Sequence, residues 1–139
     1  MDNIRLTYEV EGGDLTQAGE ASAQVKQTLR KLGFDPDTIR RVSVCMYEGE
    51  INMVIHADGG RVEVDVGMDA ITLRLIDHGP GIPDVNQAME EGFTTAGDVA
   101  RDLGFGAGMG LPNMKRYSDE MRIDTTVGVG TTVTMKIRI

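Results

Sequence analysis

Glu48 and Asn52 stand four positions apart in an apolar segment, so on a helix they project from neighbouring turns of one face into a shared pocket. A glutamate placed there can orient a hydroxyl or a water and accept its proton. An asparagine carbonyl oxygen beside it can ligate a divalent cation. Taken alone, the pair fits a solvated helix face more readily, and Glu50 lies off the stripe, where it can assist only from the surrounding shell. Asp77 closes the strand-like run ITLRLI, a setting in which its carboxylate can accept a hydrogen bond from the exocyclic amine of a purine. Gly79 and Gly81 let the backbone pass close to such a base, with Pro80 stiffening the turn, although a plain Asp/Gly/Pro turn explains the same residues without a ligand. His78 reads as an exposed turn residue with no catalytic part.

The third constellation is GFGAGMGLPNMK, residues 104–115, where alternating glycines run into a helical start. Gly106, Gly108 and Gly110 can serve as a hinge, and the amides of Met109, Gly110 and Leu111 can meet phosphate oxygens at the helix N-terminus. Lys115 adds charge inside that helix or makes a surface ion pair. The segment matches neither a GxxxxGK[ST] loop nor a dinucleotide fingerprint, because no strand of a βαβ unit leads into it. A glycine-rich surface loop is the alternative. The three constellations together suggest a nucleotide site.

These groups need elements to hold them. Alternation of Ile4, Leu6, Tyr8 and Val10 predicts a strand over 4–10, and Ala18, Ala21, Val25 and Leu29 predict a helix over 15–32 that stops at Gly33. Asp35-Pro36-Asp37 caps a second helix running through Ile39, Val42, Met46 and Met53 to about residue 56. Strands over 62–66 and 71–76 follow, joined by a hairpin at 67–70. Periodicity is lost over 82–108, apart from some helix within 85–91, as in a loop that covers a ligand. A helix over 109–117 and strands over 121–126 and 131–139 complete an α+β sandwich with helices on one sheet face. Gly49, inside the second helix, costs about 1 kcal/mol relative to alanine at an exposed site and so demands close packing or a ligand approach.

The 139 residues suit one domain, 1–139. With 22 acidic against 14 basic residues, a net charge of -8, the chain is read as binding neither nucleic acid nor an anionic membrane. A single cysteine, Cys45, excludes an internal disulfide and reads as a core residue, and no Cys/His cluster has metal-ligand spacing. No run approaches the length of a membrane span and no apolar signal core opens the chain, so the expectation is a cytoplasmic protein.

The ordered segments Glu48-x-x-x-Asn52, Asp77-x-Gly79-x-Gly81 and Gly104-x-Gly106-x-Gly108-x-Gly110, with the closing GVGTTVTMKI, resemble the boxes of the Bergerat-fold (GHKL) ATPases, the superfamily of gyrase and the histidine kinases. The resemblance implies a two-layer α/β sandwich with helices on one face of a mixed sheet. It implies Glu48 as general base, Asn52 as magnesium ligand and Asp77 as the adenine-reading residue, with Gly79 and Gly81 beneath the base. It also places Gly106, Gly108 and Gly110 in a lid hinge around the phosphates, and Thr131 or Thr132 in the adenine-side hydrogen-bond network.

Within the superfamily the short chain is similar to the small bacterial serine protein kinases that act as anti-sigma factors or switch kinases. That likeness implies Mg2+ and ATP as cofactors and phosphoryl transfer to a serine or threonine of a small antagonist protein. A sigma factor or a phosphatase is the further partner it implies, and a homodimer the assembly. A module that binds ATP and captures a partner without transfer is the alternative.

Overall fold

The computed structural model describes residues 3–13, 16–57, 59–90 and 110–139. Within them run strands β1 (Ile4–Glu11), β2 (Gly59–Val66), β3 (Ala70–Asp77), β4 (Glu120–Thr126) and β5 (Gly130–Arg138). The helices are α1 (Glu20–Lys31), α2 (Pro36–His56), α3 (Val85–Ala88) and α4 (Gly110–Tyr117).

The chain between α1 and α2 is set by local chemistry. Gly33, at φ +84°, donates to Arg30 O at 3.1 Å while Phe34 N–H reaches Leu29 O at 3.2 Å, the pair of bonds that ends a helix through a left-handed glycine. Asp35 then opens α2, its carboxylate accepting from Asp37 N–H at 2.8 Å and from Thr38 Oγ1 at 2.9 Å, with Pro36 in the first turn. The other end of α1 departs from the periodicity. The helix begins at Glu20 rather than at 15, because Gly19 adopts a left-handed φ of +97° and supplies no side-chain cap. Its cap comes from α2, where the Glu50 carboxylate accepts Ala21 N–H at 3.1 Å, Ser22 N–H at 2.9 Å and Ser22 Oγ at 2.7 Å.

The strands lie in the order β1-β2-β3-β5-β4, and every described pairing is antiparallel, so the sheet is not mixed. The physical reason is one insertion. The connection leaving β3 brings β4 back in the direction of β3, but β5 takes the place between them and runs against both. The two-layer sandwich itself is as expected. Val62, Val64, Ile71, Leu73, Met135 and Ile137 point to one side and are buried beneath Val25 and Leu29 of α1, Val42 and Met46 of α2, and Met114 of α4. The alternate residues form a charged outer face, where Asp65 holds Arg5 at 2.8 Å and Arg74 at 2.9 Å. No described helix is long and apolar enough to cross a membrane.

Candidate functional site

Helix α2 lies so close to β3 that a Cβ at Gly49 would overlap Leu75 Cδ2. Glycine at this position is therefore a packing requirement, and it seats the following turns of α2 against the sheet. Glu48 and Asn52, both half-buried, meet the start of α4. A Cβ at Gly110 would stand 3.1 Å from Asn52 Nδ2, 3.2 Å from its Oδ1 and 3.4 Å from Glu48 Oε2. One turn into α4, Asn113 Nδ2 donates to Glu48 Oε1 at 3.4 Å. Sequence reasoning passed over Asn113, although its i,i+3 spacing from Gly110 places both on one helical face. Leu111 of the same turn is half-buried against the core, while Lys115 is exposed.

The second group gathers at the end of β3. Asp77 Oδ1 accepts Gly79 N–H at 2.9 Å and Thr131 N–H at 3.1 Å, so the carboxylate is fixed by two backbone donors. Among the described residues nothing hydrogen-bonds its Oδ2, which leaves one acceptor for a ligand. The turn that follows is moored to the β4–β5 hairpin: Gly128 N–H reaches Pro80 O at 2.8 Å, and Ile82 N–H reaches Thr125 Oγ1 at 2.9 Å. Thr125 Oγ1 lies 2.8 Å from Oγ1 of the buried Thr131, whereas Thr132, paired with Ile76, points to the opposite face of the sheet. Thr131 is thus the threonine beside Asp77.

Gly79 and Gly81 have a structural reason of their own. A Cβ at Gly79 would come 2.6 Å from Ala57 Cα at the end of α2, and one at Gly81, φ +80°, 2.6 Å from Thr126 O. These contacts draw the Asp77 turn, the end of α2 and the β4–β5 tip together. His78 is exposed. Gly106, Gly108 and Met109 lie outside the described residues.

Two further groups in α2 are accounted for by structure alone. Glu50, 2% exposed, is consumed in capping α1. Burial pushes the Cys45 thiol up to about 12, and its Sγ contacts Met114 O at 3.7 Å, so it remains a protonated core residue.

The profile of the family described as Histidine kinase-like ATPase domain matches residues 13–137. The chain belongs to that family. Among its relatives, this histidine kinase-like ATPase domain is 31% identical over 112 residues to serine/threonine-protein kinase RsbT of Bacillus subtilis (strain 168), with 78% of each chain covered. It is 34% identical over 125 residues to an anti-sigma F factor of Clostridium beijerinckii, with 84% of each covered. In fold it resembles the structure of the RsbU and RsbW domains of Rv1364c from Mycobacterium tuberculosis, with a TM-score of 0.66 at 20% identity. That superposition covers 97% of this chain and 32% of the other. The family implies use of ATP, and the polar groups present fit a nucleotide: an Asp77 oxygen without a partner among the described residues at one end, and the Asn52 amide with the Glu48 carboxylate beneath a helix N-terminus at the other.

Proposed function

We propose that this ATPase domain, residues 1–139, is a Mg2+- and ATP-dependent protein serine/threonine kinase of a bacterial partner-switching module. The observation that carries the reading is the juxtaposition of Glu48 and Asn52 on one face of α2, directly under Gly110 at the start of α4. The kinase and anti-sigma relatives support it.

Asp77 Oδ2 accepts the exocyclic amine of adenine, while the two backbone donors on Oδ1 keep the carboxylate in place. Asn52 Oδ1 ligates magnesium, and the amides at Gly110 and Leu111 lie at the helix end that favours phosphate. The hinge roles of Gly106 and Gly108, the phosphate contact of Met109 and the added charge of Lys115 rest on the motif. Mg-ATP supplies the transferable γ-phosphoryl group when bound. Glu48 would accept the proton of the attacking hydroxyl as its oxygen bonds to the γ-phosphorus and the bond from that phosphorus to the bridging oxygen breaks, with ADP leaving; Asn113 holds the carboxylate toward the site. The hydroxyl belongs to a small antagonist protein, and a sigma factor or a phosphatase is the other partner.

Calorimetric titration with ATP, with and without magnesium, tests the premise. The expected result is magnesium-enhanced binding that weakens in D77N. E48Q should retain ATP affinity while phosphoryl transfer falls by about 10²–10⁴-fold. Absence of ATP binding by the parent overturns the reading, and undiminished transfer by E48Q removes the proposed base. ATP binding with no transfer to any antagonist protein supplied would leave a binding module instead.

A further inference from the structure

A groove of about 800 Å³ runs between α1 and α2 and is lined by these helices and the turn joining them. The helices are antiparallel, so one end of the groove brings Ser22 beside Tyr47 and Glu48 and the other brings Arg30 beside Phe34 and Ile39. Its charge contrasts with that of the chain, which is -8 overall. Arg5, Arg61, Arg74, Arg122 and Arg138 on the sheet and Arg41 on α2 each sit within 4.0 Å of a carboxylate. Lys26 and Arg30, one turn apart on α1 and both lining the groove, have no carboxylate partner among the described residues. Lys31 and Lys115 share that property but do not line it. Arg40, across the groove, has an exposed pair with Asp37 at 3.4 Å as its carboxylate contact and lies over the Tyr117 ring at 5.7 Å. An acidic chain that neutralises the cations of its sheet has left a cationic pair over an apolar floor, and that floor leads to Glu48.

We propose that this groove docks the phosphoacceptor protein through an acidic segment that carries the accepting hydroxyl. The proposal rests on the kinase reading above and deepens it. Lys26 and Arg30 follow Ser22 by about 6 and 12 Å along the α1 axis. In an extended segment rising about 3.3 Å per residue, a hydroxyl at Glu48 therefore has its carboxylates about two to four residues away. The net negative charge of the kinase opposes an acidic partner at long range, so the local cations set the register of the segment and the selectivity among partners.

The test uses two peptides of about a dozen residues. Each carries one serine, with glutamates at the second to fourth positions after it in one peptide and lysines there in the other. Backbone amide NMR of the full chain with Mg-ATP reports where each binds. The expected result is chemical-shift changes confined to α1 and α2, with a preference of about tenfold for the glutamate peptide that inverts in K26E/R30E. Both substitutions are at exposed positions, and unchanged ATP affinity shows that the variant is folded. Failure of the glutamate peptide to bind, equal binding of the two, a preference that survives charge reversal, or shifts on the outer sheet face would each overturn the groove assignment. An ATP titration of the same samples separates the two readings. Lack of ATP binding in the parent removes the kinase, whereas ATP binding without peptide selectivity removes only the groove.

Discussion

An alanine at Gly49 would drive a methyl group into Leu75 Cδ2, and neither side can yield easily, since Leu75 is 2% exposed within the core. G49A should therefore lower stability by about 1–3 kcal/mol in chemical denaturation, the usual cost of overpacking. Combining it with L75A should cost less than the sum of the single changes, because the second substitution removes the clash. Additive losses would show that the strain lies elsewhere. The glycine stood out in the sequence as an unpaid helix penalty, but its cause is a leucine 26 positions later on another element, which no local pattern reveals. Asp77 was more legible. Its place at the end of an alternating strand could be read from the sequence, whereas its anchoring by Thr131 N–H depends on the register between β3 and β5.

Helix α1 depends on α2 for its first turn. The E50Q substitution preserves shape but places an amide donor against one of the N–H groups now bound by Glu50. It should cost about 2 kcal/mol in thermal or chemical unfolding. Faster amide exchange at Ala21 and Ser22 should accompany the loss, and unchanged protection there would rule out the proposed cap. This cap also explains where sequence reading worked and where it did not. The α2 start at Asp35-Pro36 and the stop at Gly33 were readable because their bonds join near neighbours. Apolar spacing extended α1 too far toward the N-terminus because Gly19 breaks the helix and the compensating carboxylate comes from Glu50 in α2, 28 residues beyond Ser22. The Glu48 and Asn52 pair was visible as a stripe, while Asn113 became part of the site only when α4 packed across α2.

Across the whole molecule, Asp119 binds Arg138 N–H of β5 at 2.7 Å and Arg41 of α2 at 2.8 Å, joining the two layers. The Arg138 N–H, followed by the Arg41 guanidinium, holds its carboxyl below the ordinary value of 3.8. A depressed folded pKa adds stability above the unfolded pKa, and that stability is lost as pH falls through the folded value. The parent should therefore be more stable than D119N at neutral pH, by no more than about 1 kcal/mol for so solvated a group, and the difference should vanish in acid below the folded pKa. Chemical denaturation of both proteins over that range checks the sign, and a gap that widens on acidification would contradict it. The strand order has a different consequence. The last strand in chain order occupies an inner lane of the sheet, and it brings the Thr131 amide to Asp77. While a ribosome still conceals residues 130–138, β4 has no partner and the Asp77 carboxylate lacks one of its two anchors. A nascent chain can build the α1–α2 layer and the β2–β3 hairpin in advance, but the full anchoring of Asp77 must wait until residues 130–138 have emerged. Translation itself thus delays the doubly anchored Asp77 until the sheet can close.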